Sequence, residues 1–591
     1  MDRHRAVQVG ITVAATAACI VALCGSACGQ FGGPPPCGGM AGPGGPGGPS
    51  AKAIEIVSKY DSNKDGWLNT EERKAARAGL KAQRSKGNGF GPGAPCGPGG
   101  RGNRGVAQTP KPGIRLTPAQ AKSYPTAGLY DLTVLRTLFL DFEESDWEAE
   151  LSDFHGSDVD VAATLTVDGK RYPDVGVRFR GNTSYMMVQA GHKRSLNVSL
   201  DLADPKQTLY GYKTLNLLNS HEDPSFMGTV LTAHVAGQFT KALKANYVRV
   251  VINGESWGIY VNAQQFDKIF LAESFGPGEV ERWKAPGSPG SAAGLDYKGD
   301  GITAYQRVYE KKSGTKESWN HLIGLCRTLN QTPPARLQAA VAPVLDLDNA
   351  LWFMALDIGL SNGDGYWSRA SDYGLARDAK GVFRLFSLDT NETFRASGGG
   401  PGGPGGPGGP GGPGGFGPPP GGPNGFGPSD GFGPPDGFGG GGPDGPGGFG
   451  PPPGMGPGGP GGGPGGGGTN LSPLSGMSNS RAALHTKLLA VPELRARYLQ
   501  NLRRLANEGL SRQRLAPTVA QIRNLIDREI AADTRKLSAY EAFRQATADA
   551  APATAATRSG GGVLAFAEAR SRYLIQFKDT GYAAPAARGA R

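Results

Sequence analysis

The feature that most constrains the fold is a tract of glycine and proline at residues 397–469. It consists mostly of GGP-type repeats with a phenylalanine at intervals, and over most of its length it lacks the strict Gly-X-Y order of a collagen triple helix. A segment of this composition cannot bury enough apolar surface to offset the entropy lost on ordering its backbone. We therefore predict a disordered insertion here, with folded segments on both sides.

The rest of the chain divides around this tract. Two shorter Gly/Pro-rich stretches, residues 30–50 and 86–114, have the composition of linkers and enclose a short module at residues 51–85. Residues 115–396 carry alternating strand patterns, with hairpin turns predicted at Asp168-Gly169 and Asn253-Gly254, and then helical patterns. Residues 470–591 show the apolar spacing of amphipathic helices. We therefore predict one α+β domain, in which the last segment supplies the C-terminal helical part.

The N-terminus has the pattern of a secretory signal, which we assign to residues 1–29. Arg3 and Arg5 give it a basic start, and the apolar run Ile11–Leu23 is too short for a comfortable transmembrane span. No later segment is apolar enough over a sufficient length to cross a membrane. We expect an exported protein, in the periplasm, on the cell surface or secreted; a lipid anchor at Cys28 stays open.

Cysteine content and charge exclude some classes of protein. Few cysteines remain after the signal, so the chain is no disulfide scaffold, although Cys37 and Cys96 lie in similar Gly/Pro contexts and a bridge between them stays open. The formal net charge is +11 at pH 7, but the basic residues are scattered and often lie beside acidic ones. Because no motif accompanies this charge, we expect no nucleic-acid partner.

The module at 51–85 contains the segment DSNKDGWLNTEE, residues 61–72. It fits the pattern D-x-[DN]-x-[DN]-G-x5-E at every constrained position, and the flanking sequence is compatible with helices. This predicts an EF-hand loop that binds Ca²⁺, in which Gly66 permits the sharp turn. The predicted ligands are the side chains of Asp61, Asn63 and Asp65, the Trp67 carbonyl, Asn69 directly or through water, and bidentate Glu72. The alternative is an Asp/Asn-rich surface turn.

A second acidic group lies in NGDGYWSRASDYGL and LFSLDTNETF. Phosphoryl transfer requires a carboxylate that orients or deprotonates the acceptor hydroxyl, and oxygen ligands that hold Mg²⁺ on the phosphates. Asp364, Asp372 and Asp389 have the order of a kinase-like site, with Asp389 closing an apolar strand pattern. Acidic residues also commonly end strands and cap turns, so spacing alone leaves both interpretations open. We interpret Asp223, in NSHEDPS, as a helix N-cap and not as a metal ligand.

Six sequence blocks occur in one order over residues 130–396. They are VGVRFRGNTSY, HKRSLNVSL, GYKTLNLLNSHEDPSFMGTVL, WGIYVNAQQFDKIFL, NGDGYWSRASDYGL and LFSLDTNETF. Together they resemble the spore-coat H (CotH) kinase family, and GGVLAFAEARSRYLIQF is similar to that family's closing segment. The resemblance implies a diverged protein-kinase-like fold, with a strand-rich N-lobe and a helical C-lobe.

The resemblance also implies roles for individual residues. Asp364 would be the catalytic Asp and Asp389 a metal ligand, while Asp372 stands where the family often has Asn and would be a second ligand of Mg²⁺ or Mn²⁺. Lys193 is the best candidate for a lysine that pairs with phosphate. The residues predicted to bind nucleotide or phosphate are Arg180, Asn182, Ser184 and Lys193. Gln264 departs from the family, which commonly has Glu at that position.

These observations predict an exported atypical protein kinase that uses ATP with Mg²⁺ or Mn²⁺. It would phosphorylate Ser or Thr of an acceptor such as a surface or coat protein, and it would carry a calcium-binding EF-hand. The alternative is a non-catalytic, calcium-binding structural protein of a cell surface or coat, which keeps the fold as a scaffold.

Overall fold

In the computed structural model the chain is described for residues 53–86, 110–181, 183–287, 291–395, 468–549 and 562–580. All of them belong to one compact unit. The predicted signal, most of both linkers and nearly all of the Gly/Pro insertion lie outside the described residues, as do Cys28, Cys37 and Cys96. None of the described helices is both long and apolar enough to cross a membrane.

Seven strands form a closed barrel: β1 (Arg136–Phe142), β2 (Val161–Val167), β3 (Lys170–Phe179), β4 (Leu196–Ser199), β5 (Thr214–Leu218), β6 (Ala245–Ile252) and β7 (Glu255–Gln264). Their order is β1-β2-β3-β4-β5-β7-β6, and the parallel pair β1–β6 closes the barrel. The predicted hairpin turns at Asp168-Gly169 and Asn253-Gly254 are confirmed. All four residues have positive φ, as a tight two-residue turn between twisted strands requires.

A second sheet contains β8 (Glu281–Ala285), β9 (Glu310–Ser313), β10 (Tyr373–Arg377) and β11 (Phe383–Ser387), in the antiparallel order β11-β10-β8-β9. The helices are α1 (Val57–Tyr60), α2 (Thr70–Lys86), α3 (Trp147–Asp153), α4 (Thr183–Met186), α5 (Gly228–Ala236), α6 (Lys268–Phe275), α7 (Ile302–Gln306), α8 (Ser318–Gln331), α9 (Pro334–Val341), α10 (Leu347–Gly359), α11 (Tyr366–Arg369), α12 (Pro492–Arg504), α13 (Arg512–Ala532), α14 (Tyr540–Ala546) and α15 (Val563–Gln576).

Two large hydrophobic cores hold most of these elements. One fills the barrel and extends under α1–α3, and the other surrounds α10, whose residues 349–359 are all buried. A helix that is apolar on every side belongs at the centre of a bundle, and α12, α13 and α15 from the C-terminal part contribute to the same core. The α+β prediction is thus confirmed. The closure of the strand-rich part into a barrel is a finding that the sequence analysis did not predict.

The helix–loop–helix at residues 53–86 packs on the barrel and is not held only by its linkers. Asp158 Oδ1 accepts hydrogen bonds from the Ile56 and Val57 backbone N–H groups, at 2.7 and 3.2 Å. On the other side, Arg73 Nε lies 2.9 Å from Glu150 Oε1 on α3, and both side chains are buried. The module and α3 therefore share an interface that contains a buried ion pair.

The helix start predicted at Asp223 is wrong in position. Helix α5 begins at Gly228, with Met227 as its N-cap residue. Asp223 lies in the preceding turn, where its carboxylate accepts hydrogen bonds from the Ser225 N–H at 3.0 Å and the Gly228 N–H at 2.9 Å. The carboxylate still satisfies an N–H group of the first helical turn, but across five residues instead of the usual two or three.

Candidate functional site

Asp357, near the end of α10, forms hydrogen bonds that hold the loop that carries Asp364. The Asn362 N–H donates to the Asp357 carbonyl at 3.0 Å, and the Trp367 N–H donates to Asp357 Oδ2 at 2.8 Å. Burial raises the pKa of the Asp357 carboxyl to about 7, against the hydrogen bonds that favour its charged form. Sequence analysis missed Asp357, because nothing in an apolar helical pattern shows that one carboxylate turns back onto the following loop.

Asp372 lies immediately before β10 and bonds to the chain that leaves β11. Its carbonyl accepts the Leu388 N–H at 2.8 Å, which brings it next to Asp389. Asp372 has φ +57°, a left-handed conformation that Asp and Asn tolerate better than most residues. Burial and then repulsion from Asp389 raise the pKa of Asp372 to about 8, while Lys284 acts in the opposite direction.

Asp389 follows β11 and is fixed through its backbone. Its carbonyl accepts a hydrogen bond from Asn362 Nδ2 at 3.1 Å, and its Oδ1 accepts the Asn391 N–H at 3.3 Å. The residue is exposed to solvent, yet protein groups surround its carboxylate closely enough to raise its pKa by desolvation. The Arg180 guanidinium opposes this shift and the Asp364 carboxylate reinforces it, so both groups lie near Asp389.

Glu392 is a fourth carboxyl group at the same place. Burial raises its pKa to about 8, and a hydrogen bond between the Glu392 and Asp364 carboxyl groups adds to this effect. Arg369 forms an ion pair with Asp364 from the other side. We call Asp364, Asp372, Asp389 and Glu392 the carboxylate cluster. Sequence analysis missed Glu392 as a site residue, although it lies in the same acidic block as Asp389.

The turn after β3 supplies a cation to the cluster. Burial lowers the pKa of the Arg180 guanidinium and Asp389 raises it, and the Arg180 N–H donates to Ser195 O at 2.9 Å. Gly181 has φ +89°, and a Cβ added to it would lie 2.2 Å from Ser184 Oγ, so any other residue here would strain the backbone and displace the Ser184 hydroxyl. Asn182, the remaining predicted residue of this turn, lies outside the described part of the chain.

The structure gives Lys193 other partners than the cluster. Its ammonium is fully buried, 2.5 Å from Asp533 Oδ2 and 2.6 Å from the Ile259 carbonyl oxygen. Burial lowers the pKa of Lys193 and Asp533 opposes this shift. Asp533 is the C-cap residue of α13, in the C-terminal part of the domain, where its backbone N–H donates to the Glu529 carbonyl at 2.9 Å. The role predicted for Lys193 stays a prediction. Glu222, which precedes Asp223 in NSHEDPS, forms an ion pair with Arg395 at 3.8 Å.

The donor set of the cluster fits a hard divalent cation that phosphate oxygens help to coordinate. Within the described ranges no three His, Cys, Asp or Glu side chains converge closely enough to enclose a metal ion. Two side-chain oxygens beside the carboxylates, Asn362 Oδ1 and Asn391 Oδ1, are shielded from solvent and have no hydrogen-bond partner in the described part of the protein. Mg²⁺ commonly uses only one or two carboxylates and takes its other oxygens from phosphate and water.

The loop at residues 61–72 has the same oxygen-rich chemistry and a different geometry. Gly66 has φ +94°, and its N–H donates to Asp61 Oδ2 at 2.9 Å. The Ser62 and Asn69 N–H groups donate to the two carboxylate oxygens of Glu72, at 2.8 and 3.0 Å. The Ser62 hydroxyl, followed by these N–H groups, lowers the pKa of Glu72. The first and last predicted ligands are therefore both directed back onto one loop.

Two comparisons with known proteins bear on this site. Residues 177–408 match the family model described as "CotH kinase protein". The "Inner spore coat protein H" of Bacillus subtilis (strain 168) is similar, with 26% identity over 236 residues, which are 40% of this chain and 62% of that protein. The match thus covers less than two thirds of that relative. The matched residues 177–408 include Arg180 and the three members of the cluster found from the sequence.

Proposed function

We propose that this chain, which contains a CotH kinase family domain, is an exported atypical protein kinase. The observation that carries the proposal is the meeting of Asp364, Asp372, Asp389 and Arg180 at one place. These residues come from three separate sequence blocks, and the barrel supplies the cation while the helical part and second sheet supply the carboxylates. We take the barrel and the α10-centred part as the two lobes of a kinase-like fold.

In the proposed reaction a Ser or Thr hydroxyl of an acceptor protein attacks the γ-phosphoryl group of ATP. The hydroxyl oxygen forms the new P–O bond, the bond between the γ-phosphorus and its bridging oxygen breaks, and ADP leaves with that oxygen. Asp364 accepts the hydroxyl proton on its carboxylate, while Arg369 and Glu392 fix the orientation of that carboxylate. Mg²⁺ or Mn²⁺, held by Asp372 and Asp389, would neutralise charge on the phosphates when bound.

The loop at 61–72 is the proposed Ca²⁺ site, with Asp61, Asn63, Asp65, Trp67, Asn69 and Glu72 as ligands. What supports this is the complete sequence pattern, together with the positive φ at Gly66 and the inward direction of both terminal carboxylates. Because the module shares a buried ion pair with α3, we propose that Ca²⁺ stabilises its attachment to the barrel. Binding that favours only the folded state raises stability by mass action.

Export of this chain is proposed from its N-terminal sequence and from the name of its relative, a spore coat protein. Because little ATP occurs outside cells, phosphorylation would take place before or during export, or another nucleotide would be the donor. A surface or coat protein is the proposed class of acceptor.

The kinase proposal is tested on the full chain. We expect ATP with Mg²⁺ or Mn²⁺ to raise the melting temperature, and the wild type to label itself from ATP labelled at the γ-phosphate. Asp364→Asn should reduce labelling by about 10²–10⁴-fold, the usual range for losing a group that moves a proton, and Asp389→Asn should also reduce labelling because it removes a ligand of the metal ion. Asp378→Asn, which removes a carboxylate paired with Arg384 on the β10–β11 hairpin, is the matched control. Equal labelling in all four proteins would refute the site assignment.

The second candidate is a non-catalytic structural protein of a coat or surface, which the name of the Bacillus relative favours. It predicts that no nucleotide shifts the melting temperature, whereas Ca²⁺ does. A shift with nucleotide that Asp389→Asn abolishes would exclude this candidate.

A further inference from the structure

Lys284 lies beside the carboxylate cluster on an element that sequence reasoning did not connect with it. It is on β8, directly opposite Gly374 of β10, and Gly374 is two residues after Asp372. The chain beyond β8 continues past the same carboxylate, because a Cβ added to Gly287 would lie 2.6 Å from Asp372 Oδ1. The preceding residue, Trp283, is fully buried in the α10-centred core, so Lys284 projects from the opposite face of the strand.

The charges around Lys284 show which groups it faces. Burial lowers the pKa of its ammonium, and the neighbouring Arg180 lowers it further, while Asp372 raises it. In the described part of the protein, neither the Lys284 ammonium nor the Arg180 guanidinium forms a hydrogen bond or an ion pair. Two half-buried cations therefore lie close enough to repel each other, next to carboxylates that also repel each other.

Neither of these two cations forms a direct contact with an anionic group in the described part of the protein. A partly desolvated cation usually pairs with a carboxylate, as Lys193 does with Asp533. Lys284 and Arg180 have no such partner, although Asp372 and Asp389 are near. A chain of phosphates would supply oxygens to both cations, and the guanidinium can bind two of them while the ammonium acts as a point charge.

We infer that Lys284 and Arg180 together hold the phosphate chain of a nucleoside triphosphate, so that Lys284 has the role that the sequence predicts for Lys193. The inference rests on the proposed function and names the residues that bind the phosphates. Lys193 is instead a structural residue, because its two closest acceptors, Asp533 and the Ile259 carbonyl, both belong to the protein.

The test is calorimetric titration of the full chain with two probes, ATP with Mg²⁺ and inorganic tripolyphosphate, which lacks the nucleoside. Lys284→Met should weaken binding of both probes by about ten- to a hundredfold, the loss expected for one charge-assisted contact. Lys284→Arg should bind within a few-fold of wild type, and Lys284→Gln gives the same comparison if the Met variant does not fold. Lys312→Met, on the neighbouring strand β9, removes an equal charge that already pairs with Glu310, and should change little.

The outcomes separate this inference from the proposed function. Binding of ATP by the wild type that Lys284→Met leaves unchanged overturns the inference and leaves the kinase proposal standing. If Lys193→Met loses binding of both probes and Lys284→Met does not, the phosphate-binding role belongs to Lys193. Equal weakening by Lys284→Met and Lys312→Met shows a general charge effect and also overturns it. Absence of any binding by the wild type refutes both.

Discussion

The loop at residues 61–72 and the carboxylate cluster are both rich in acidic groups, but the protein treats their charges in opposite ways. In the loop, backbone N–H groups point at the carboxylates of Asp61 and Glu72, and the pKa of Glu72 is lowered. In the cluster, burial and then repulsion from a neighbouring carboxylate raise the pKa values of Asp372 and Glu392 to about 8.

The difference shows which site is complete without a ligand. A carboxylate that accepts N–H groups is stable as an anion in the protein alone, so a cation adds to an arrangement that already exists. Carboxylates that repel each other instead disfavour the folded state until a proton or a cation joins them. The loop is thus arranged in advance, whereas the cluster holds a repulsion that cations relieve.

The largest expected effect comes from the ion pair that joins the helix–loop–helix at residues 53–86 to α3. Arg73→Met leaves the buried Glu150 carboxylate without its partner, which should lower the free energy of unfolding by about 3–5 kcal/mol. Urea denaturation measures this loss. Lys74→Met, at the next residue, removes only solvent-exposed ion pairs and is the control. Equal effects of the two substitutions would mean that the module does not pack on the barrel as described.

A smaller change in the free energy of unfolding, in the stabilising direction, is expected from a substitution in the carboxylate cluster. Asp372→Asn removes a repelled charge and keeps a residue that tolerates positive φ, so it should stabilise the protein at pH 8.5 in EDTA by about 1–3 kcal/mol. Because the pKa of Asp372 is raised on folding, the native state binds the extra proton between about pH 4 and pH 8. The wild type therefore loses stability relative to the variant as pH rises through this range.

Urea denaturation of both proteins at pH 5 and pH 8.5 measures that change. A difference in stability that is the same at both pH values would show that folding does not raise the pKa of Asp372.

The smallest change in the free energy of unfolding is expected from a substitution in the loop at residues 61–72. Glu72→Gln replaces one acceptor oxygen by an NH₂ group that faces backbone N–H donors, and it should weaken Ca²⁺ binding by at least about tenfold. Calorimetric titration of the full chain with Ca²⁺ measures this change. Glu71→Gln, on the adjacent exposed residue, should bind Ca²⁺ like the wild type; identical binding by both variants and wild type would refute the ligand assignment.

The sequence predicted those parts of the site that follow from local order. Asp364, Asp372 and Asp389 were recognised from their order along the chain and from the resemblance to the CotH kinase family, and the structure brings them together. Lys284 and Asp357 could not be found in this way. The position of the first depends on pairing between β8 and β10, and that of the second on a loop that folds back over its own helix.

Long-range pairing also explains which features of the fold could not be predicted from the sequence. The α+β layout and both hairpin turns follow from patterns of a few residues, whereas closure of the barrel depends on contact between β1 and β6, more than a hundred residues apart. The partner of Lys193 is 340 residues away. No local pattern contains a contact of that kind, so a lysine that resembles a ligand residue can instead join two ends of a domain.

The two ends of the Gly/Pro insertion are fixed at adjacent residues. The Phe394 N–H, just before the tract, donates to the Leu360 carbonyl, and Ser361 Oγ donates to the Gly468 carbonyl on the far side at 3.0 Å. The chain thus leaves the domain and returns to it at one point. The entropy of closing a loop grows only as the logarithm of its length, with about 0.6 kcal/mol for each doubling. A change in the number of GGP repeats should therefore alter the stability of the domain little, and this position suits the insertion of a foreign segment.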